Sequence, residues 1–235
     1  MEFIRWLKDL SKKDVVLVGG KAANLGEMVK ADLPVPNAFV VTAYAYKYFV
    51  EKNKLVKEIR RILKKTNFED PKNLEESTKK IRELIINSPI PREIENEIIN
   101  AYKLLSQEFG ESEISVAIRS SATAEDIPEA SFAGLQLTLL NIRGEKNVLD
   151  GVKQCWSSLF TPRATFYRYQ KKFEHEKVYI AVVVQKQLGI LSREEYENGE
   201  YKAGVGFTIH PSTGEKNKIV IESSYGQGES VVSGA

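Results

Sequence analysis

Apolar residues in this chain recur every three or four positions through the first half, then switch to short continuous runs. Leu55, Ile59, Ile62 and Leu63 make one helical stripe, Ile81, Leu84 and Ile85 a second, and Ile94, Ile98, Tyr102 and Leu105 a third. A 3.6-residue period gathers such positions on one face and leaves the intervening Lys, Arg and Glu to solvent. Thr42 is placed to cap a helix reaching about Glu51, with Tyr44, Tyr48 and Phe49 on its packing face. Pro91 can open the third stripe's helix at its first turn. Nearer the N-terminus, Val15 to Val18 reads as a short strand, Lys21 to Lys30 as a helix and Phe39 to Val41 as a strand. Beyond Gly110 the runs Ile114 to Ile118, Leu135 to Ile142, Val178 to Leu188, Ala203 to Ile209 and Lys218 to Glu222 read as strands. Two helices lie among them, one carrying Val148, Val152 and Trp156, the other following Pro162 with Phe166, Tyr169 and Phe173. The charged stretch from Leu191 to Tyr201 reads as an exposed connection. This order predicts an α+β fold, with a helical first lobe over 1–110 and a mixed-sheet lobe over 111–235.

At 235 residues the chain is long enough for one large domain or two lobes. Its 34 basic and 32 acidic residues leave a formal charge of +2, which gives no general drive toward nucleic acid or an anionic membrane. Any anion site must therefore be local, and neither nucleic acid nor membrane is expected as a partner. No apolar run is long enough to span a bilayer, and the N-terminal residues lack the apolar core of a signal peptide. A single cysteine, Cys155, excludes an intrachain disulfide and suits a reducing, cytoplasmic compartment. Its neighbours Val152 and Trp156 suggest helical filler, and no histidine stands near it in sequence to activate a nucleophile.

Local chemistry points to phosphate. The Ile114–Ile118 run ends in Arg119, followed by Ser120, Ser121, Ala122 and Thr123. A guanidinium is a permanent charged fork suited to phosphate oxygens, and small hydroxyl residues let backbone N–H groups approach a ligand. Arg119 could equally pair with Glu125 or Asp126. Gly19 and Gly20 lead through Lys21 into a helix, whose N-terminus favours anions. This is not a Walker A loop, since the leading glycine spacing and the Ser/Thr after the lysine are missing, and a plain surface lysine fits as well. Gly134 allows either close passage over a ligand or an awkward backbone angle. Gln185 ends an apolar strand; its amide suits an adenine edge, or it marks the strand's exit to solvent. His175 and His210 read as exposed and as part of a turn, without catalytic roles, and no compact carboxylate set suggests a metal cage.

These motifs together resemble the ATP-binding N-terminal domain of the phosphoenolpyruvate synthase and pyruvate phosphate dikinase family. The likeness runs through Val18-Gly-Gly-Lys-Ala-Ala-Asn-Leu-Gly-Glu27, Val35-Pro-Asn-Ala-Phe39, Ile118-Arg-Ser-Ser-Ala-Thr-Ala-Glu-Asp126, Ala130-Ser-Phe-Ala-Gly134, Ser158-Leu-Phe160 with Arg163, and Gly226-Gln-Gly-Glu229. It implies an ATP-grasp-like domain holding nucleotide between two lobes. By position it makes Lys21 and Arg119 the phosphate clamps and catalytic cations, one from each lobe. Ser120 joins them at the nucleotide, Gly134 and Thr138 belong to a lid strand, and Gln185 is an adenine-side contact.

The resemblance further implies ATP and Mg²⁺ as cofactors. Family members pass a phosphoryl group to a histidine on a swivelling domain, from which a barrel domain delivers it to pyruvate. For the synthase type, ATP, pyruvate and water give AMP, phosphoenolpyruvate and phosphate. The family's later residues, which complete the ATP and Mg²⁺ site, and both partner domains have no counterpart in residues 1–235. A fragment, or one piece of a split enzyme, is therefore expected, and a homodimer is allowed. Two other outcomes stay open: a related dikinase acting on a phenol or an antibiotic, and a non-catalytic nucleotide-sensing module.

Overall fold

The computed structural model describes residues 2–123, 137–175, 178–189, 202–226, 228 and 231. They divide into two units, Met1–Gln187 and Leu188–Ala235. The strands are β1 (Ile4–Trp6), β2 (Ala38–Val41), β3 (Val116–Ala122), β4 (Thr138–Ile142), β5 (Ile180–Lys186), β6 (Lys202–Phe207) and β7 (Val220–Tyr225). The helices are α1 (Val15–Lys30), α2 (Ala43–Lys52), α3 (Leu55–Lys64), α4 (Pro71–Asn87), α5 (Arg92–Glu108), α6 (Glu145–Ser157) and α7 (Pro162–Gln170). The expected α+β class is what these elements form.

In the first unit a five-stranded sheet runs in the order β1-β2-β5-β3-β4, antiparallel at every described pairing. β5 lies at its centre because the Ile180–Val184 run can be buried on both faces, and all five residues are. Alternation splits the sheet cleanly. Phe39, Val41, Val116, Ile118, Ile180, Val182 and Val184 enter a large core with α2 to α6, centred on the fully buried Trp156. Ala38, Val40, Ala181 and Val183 face the other way, onto Val18, Ala22 and Ala23 of α1 with Leu7 and Leu10. Each buried valine of β5 contributes roughly 1.5 kcal/mol by leaving water.

The helical stripes fall where the period placed them: Leu55, Ile59 and Leu63 on α3, Ile81 and Ile85 on α4, and Ile94, Ile98, Tyr102 and Leu105 on α5 are buried. Thr42 caps α2, its hydroxyl accepting the Ala45 N–H. Two local readings need correction. Val15 to Val18 is helical, not extended, because Ser11 and Asp14 form a capping box that launches the chain into α1. Pro91 is the cap residue of α5 and stands one place before its first turn. The N-terminal residues contribute a strand, with Ile4 paired to Val41 and Trp6 to Phe39. Gly110 lies between α5 and β3, inside the first unit, and two of the sheet's strands come from the first 110 residues.

The second unit's described residues form a β6–β7 antiparallel hairpin. Its connecting turn closes on His210, whose Nδ1 accepts the N–H groups of Ser212 at 3.3 Å and Thr213 at 3.2 Å. His210 is thus a turn residue, as read from sequence. The stretch from Leu191 to Tyr201 lies outside the described residues.

Candidate functional site: the glycine turn against strand β3

Gly19 has φ 76° and ψ 163°, non-helical values inside α1. That region of backbone space is open essentially to glycine alone. The break divides α1, so a fresh helical segment starts at Gly20 and Lys21. The turn needs a glycine for a second reason, since a Cβ at Gly19 would lie 2.3 Å from Ser121 Oγ and 2.5 Å from the Ser121 carbonyl oxygen. The turn is therefore pressed directly onto β3. Two bonds fasten it: Ala22 N–H donates to Ser121 Oγ at 3.3 Å, and the Lys21 ammonium donates to the Ser120 carbonyl at 2.8 Å. Both span 99 residues of sequence.

Arg119 is the residue just before that carbonyl. Its guanidinium is half-buried, and burial alone holds it below the usual arginine range. No hydrogen bond or ion pair engages it among the described residues. Register places Arg119 opposite Thr138 on β4 and Val183 on β5. Directly opposed residues of an antiparallel pair share a face, so Arg119 and exposed Thr138 stand side by side. Val183 packs toward α1, which puts Arg119 and Thr138 on the α1 side of the sheet. Gln185 pairs with Ala117, two residues back from Arg119, on this same face about 7 Å along the strand. Its Nε2 donates to the Pro36 carbonyl at 2.9 Å.

Lys21, Arg119, Thr138 and Gln185 thus border one strip of the first unit. Ser120 is oriented otherwise. It is buried, and its hydroxyl is bonded with the backbone of Leu137, accepting the N–H at 2.9 Å and donating to the carbonyl at 3.2 Å. Ser120 reaches the strip through its carbonyl, which receives Lys21. Gly134 lies outside the described residues. Ser121, read from sequence as one of the loop hydroxyls open to a phosphate, instead accepts the Ala22 N–H, a contact that spans the whole helical half of the chain.

The remaining reactive groups are structural. Burial pushes the Cys155 thiol up to about 12, with Lys21 opposing, so filler is the correct reading of this residue. His175 is half-buried, not exposed. Its Nδ1 accepts from Arg168 Nε at 3.0 Å, and its ring lies parallel to Phe68. Arg168 is fully buried, donates a second bond to the Leu159 carbonyl, and is lowered to about 10 by desolvation, with Tyr46 opposing. A cavity of about 350 Å³ opens in this region between α2, α3 and the residues after α7, and none of the candidate residues lines it. Among the described residues no group of three or more His, Cys, Asp or Glu could hold a metal ion. No helix is long and apolar enough to cross a membrane, among the described residues.

A local cationic strip beside a glycine turn suits a polyphosphate. The family described as pyruvate phosphate dikinase, AMP/ATP-binding domain, matches residues 15–235. A probable phosphoenolpyruvate synthase of Pyrococcus abyssi is 50% identical over 99% of this chain, which covers 31% of that protein. The phosphoenolpyruvate synthase of Pyrococcus furiosus is 49% identical, with the same 99% and 31% coverage. A probable phosphoenolpyruvate synthase of Methanocaldococcus jannaschii is 52% identical over 100% of this chain and 19% of its own length. The chain therefore spans a third or less of these relatives. With its glycine turn, its two cations and a match over nearly its full length, the chain belongs to the pyruvate phosphate dikinase AMP/ATP-binding domain family.

Proposed function

We propose that this chain is the ATP-binding, phosphoryl-donating portion of a longer phosphoenolpyruvate synthase, acting in the cytoplasm. The single observation that carries the reading is the joint placement of the Lys21 ammonium and the Arg119 guanidinium, unpartnered among the described residues, on one strip of a family AMP/ATP-binding domain. Phosphoryl transfer asks a protein mainly to position the phosphates and neutralise developing charge. Arg119 offers a fork that no anion among the described residues occupies, Glu125 and Asp126 lying outside them. Lys21 would exchange its carbonyl contact for a phosphate oxygen, a stronger charge-assisted bond. Thr138 lies beside Arg119 at the strip, and the Gln185 amide oxygen remains able to accept an exocyclic amine. The two-lobed, ATP-grasp-like enclosure of the nucleotide belongs to this same reading.

The phosphoryl group would pass to a histidine on a swivelling domain and on to pyruvate at a barrel domain, both in the remainder of the longer protein. The overall reaction is ATP, pyruvate and water to AMP, phosphoenolpyruvate and phosphate. Mg²⁺ would arrive with the triphosphate and neutralise part of its charge. The described residues hold no group of three or more His, Cys, Asp or Glu that could cage it.

Each cation is worth about 3 kcal/mol in the transition state, by analogy with loss of one preorganised donor. In the longer protein, Arg119→Ala is therefore expected to slow label transfer from ATP to histidine about a hundredfold, with the circular dichroism spectrum unchanged. Near-normal histidine labelling in a folded Arg119→Ala protein removes Arg119 from the mechanism.

A further inference from the structure

We infer that Ser121 is the positioning residue for Lys21, an inference that rests on the nucleotide reading above for its functional consequence. Ser121 is completely buried and pairs with Ala181, on the side of the sheet that packs against α1. Its hydroxyl accepts the Ala22 N–H, in the first turn of the segment that begins after the Gly19 break. The first N–H groups of a helix have no partner within it, so a hydroxyl from β3 here does the work of a cap from another part of the chain. Gly19 meets the same residue by backbone contact. The two contacts fix Gly19 and Ala22, which bracket Gly20 and Lys21, and with them the point from which the long lysine side chain departs. The ammonium then ends on the carbonyl of Ser120, one residue from Arg119. The spacing of the two cations is thus set by Ser121.

The rest of the sheet does not depend on this hydroxyl. β3 is held along its length by β5, from Val116–Lys186 to Ala122–Ile180, and α1 is anchored by Val18, Ala22 and Ala23 in the apolar cluster. Loss of the hydroxyl therefore loosens the turn and leaves the fold standing. A buried N–H left without its acceptor is costly enough to shift the turn's population about tenfold.

Four versions of the chain separate positioning from general support: the wild type, Ser121→Ala, Lys21→Met and the double variant. In the absence of nucleotide, amine acylation read by peptide mass spectrometry is expected to run roughly tenfold faster at Lys21 in Ser121→Ala. Lys103, which pairs with Glu145 on the opposite side of the sheet, serves as the internal reference. An unchanged Lys21 rate overturns the inference, whatever the chain binds. By titration with Mg-ATP, Ser121→Ala is expected to weaken binding roughly five- to tenfold when Lys21 is present, and less than about twofold in the Lys21→Met background. Equal losses in both backgrounds show a merely structural residue and overturn it too. Faster Lys21 acylation with Mg-ATP affinity unchanged in every variant sinks the nucleotide reading and leaves the positioning intact. Ser121→Cys, close in size and a weak acceptor, replaces the alanine variant if that one does not fold, with the same expected directions.

Discussion

An arginine that is half out of water with no carboxylate beside it is an expense to the folded chain, and among the described residues Arg119 is such a residue. Burial lowers its affinity for a proton, yet arginine starts so high that it stays charged at any working pH. Removing the charge should relieve the fold while destroying the site. Arg119→Met is expected to unfold at or above the wild-type temperature, and to bind Mg-ATP at least tenfold more weakly by calorimetric titration. The opposite pattern, a destabilised protein with intact binding, would make Arg119 a structural residue. Cys155 gives a second check at this scale. With its thiol pushed up to about 12 by burial, it should resist iodoacetamide at pH 8 in the folded chain and react within minutes once unfolded in urea. Arg119 and Lys21 could be singled out from sequence because charge beside small residues is a local signal. The part Ser121 takes at the turn and the burial of Arg168 could not, since their partners Ala22 and the Leu159 carbonyl are supplied by folding.

Helix α1 is the element on which the site turns. Its start was misread because four apolar residues, three of them β-branched, look like a strand. The Ser11-Lys12-Lys13-Asp14 capping box was the legible counter-signal. Burial works to raise the Asp14 carboxyl, but hydrogen bonds from the Ser11 side chain and backbone outweigh it, so it sits below the ordinary carboxylate range. A depressed carboxylate stabilises the fold above its unfolded pKa and loses that contribution as pH falls through its folded one. Asp14→Asn should therefore lower the melting temperature at pH 7 and converge with wild type once the pH falls below the ordinary carboxylate range. At the break itself, Gly19→Ala combines a forbidden backbone angle with a clash against Ser121, and should cost about 3 kcal/mol by urea unfolding. A cost near zero would mean that the turn does not press on β3. Helices α3 to α5 were legible throughout, because an amphipathic period survives whatever the helix packs against. Which strands they cover was not, since register is decided by residues far apart in sequence.

Across the first unit, one sheet separates two kinds of packing. The face toward α2 to α6 is a closed core around Trp156; the other is covered by α1 over its β2–β5 half and carries the cationic strip beyond. The main core and the candidate site thus lie on opposite sides of β5. Trp156→Ala should cost about 4 kcal/mol in unfolding free energy, as expected for deleting a large, fully buried aromatic. Over the temperature range where that variant stays folded, its Mg-ATP affinity should stay within about threefold of wild type, because Trp156 and the strip are on different faces. The α+β class could be read from the change of period alone. The joining of β1 and β2, from the helical half, into the same sheet as β3 to β5 could not. It brings Ala38 beside Gln185, and Gln185 to the Pro36 carbonyl.

The central claim is that Lys21 and Arg119 hold one triphosphate together. A crystal structure of the chain with Mg²⁺ and a non-hydrolysable ATP analogue tests it most directly. The prediction is that phosphate oxygens lie within hydrogen-bond distance of both the Arg119 guanidinium and the Lys21 ammonium, with Lys21 drawn off the Ser120 carbonyl. Nucleotide bound elsewhere, with the Lys21 ammonium still on that carbonyl and Arg119 untouched, contradicts it.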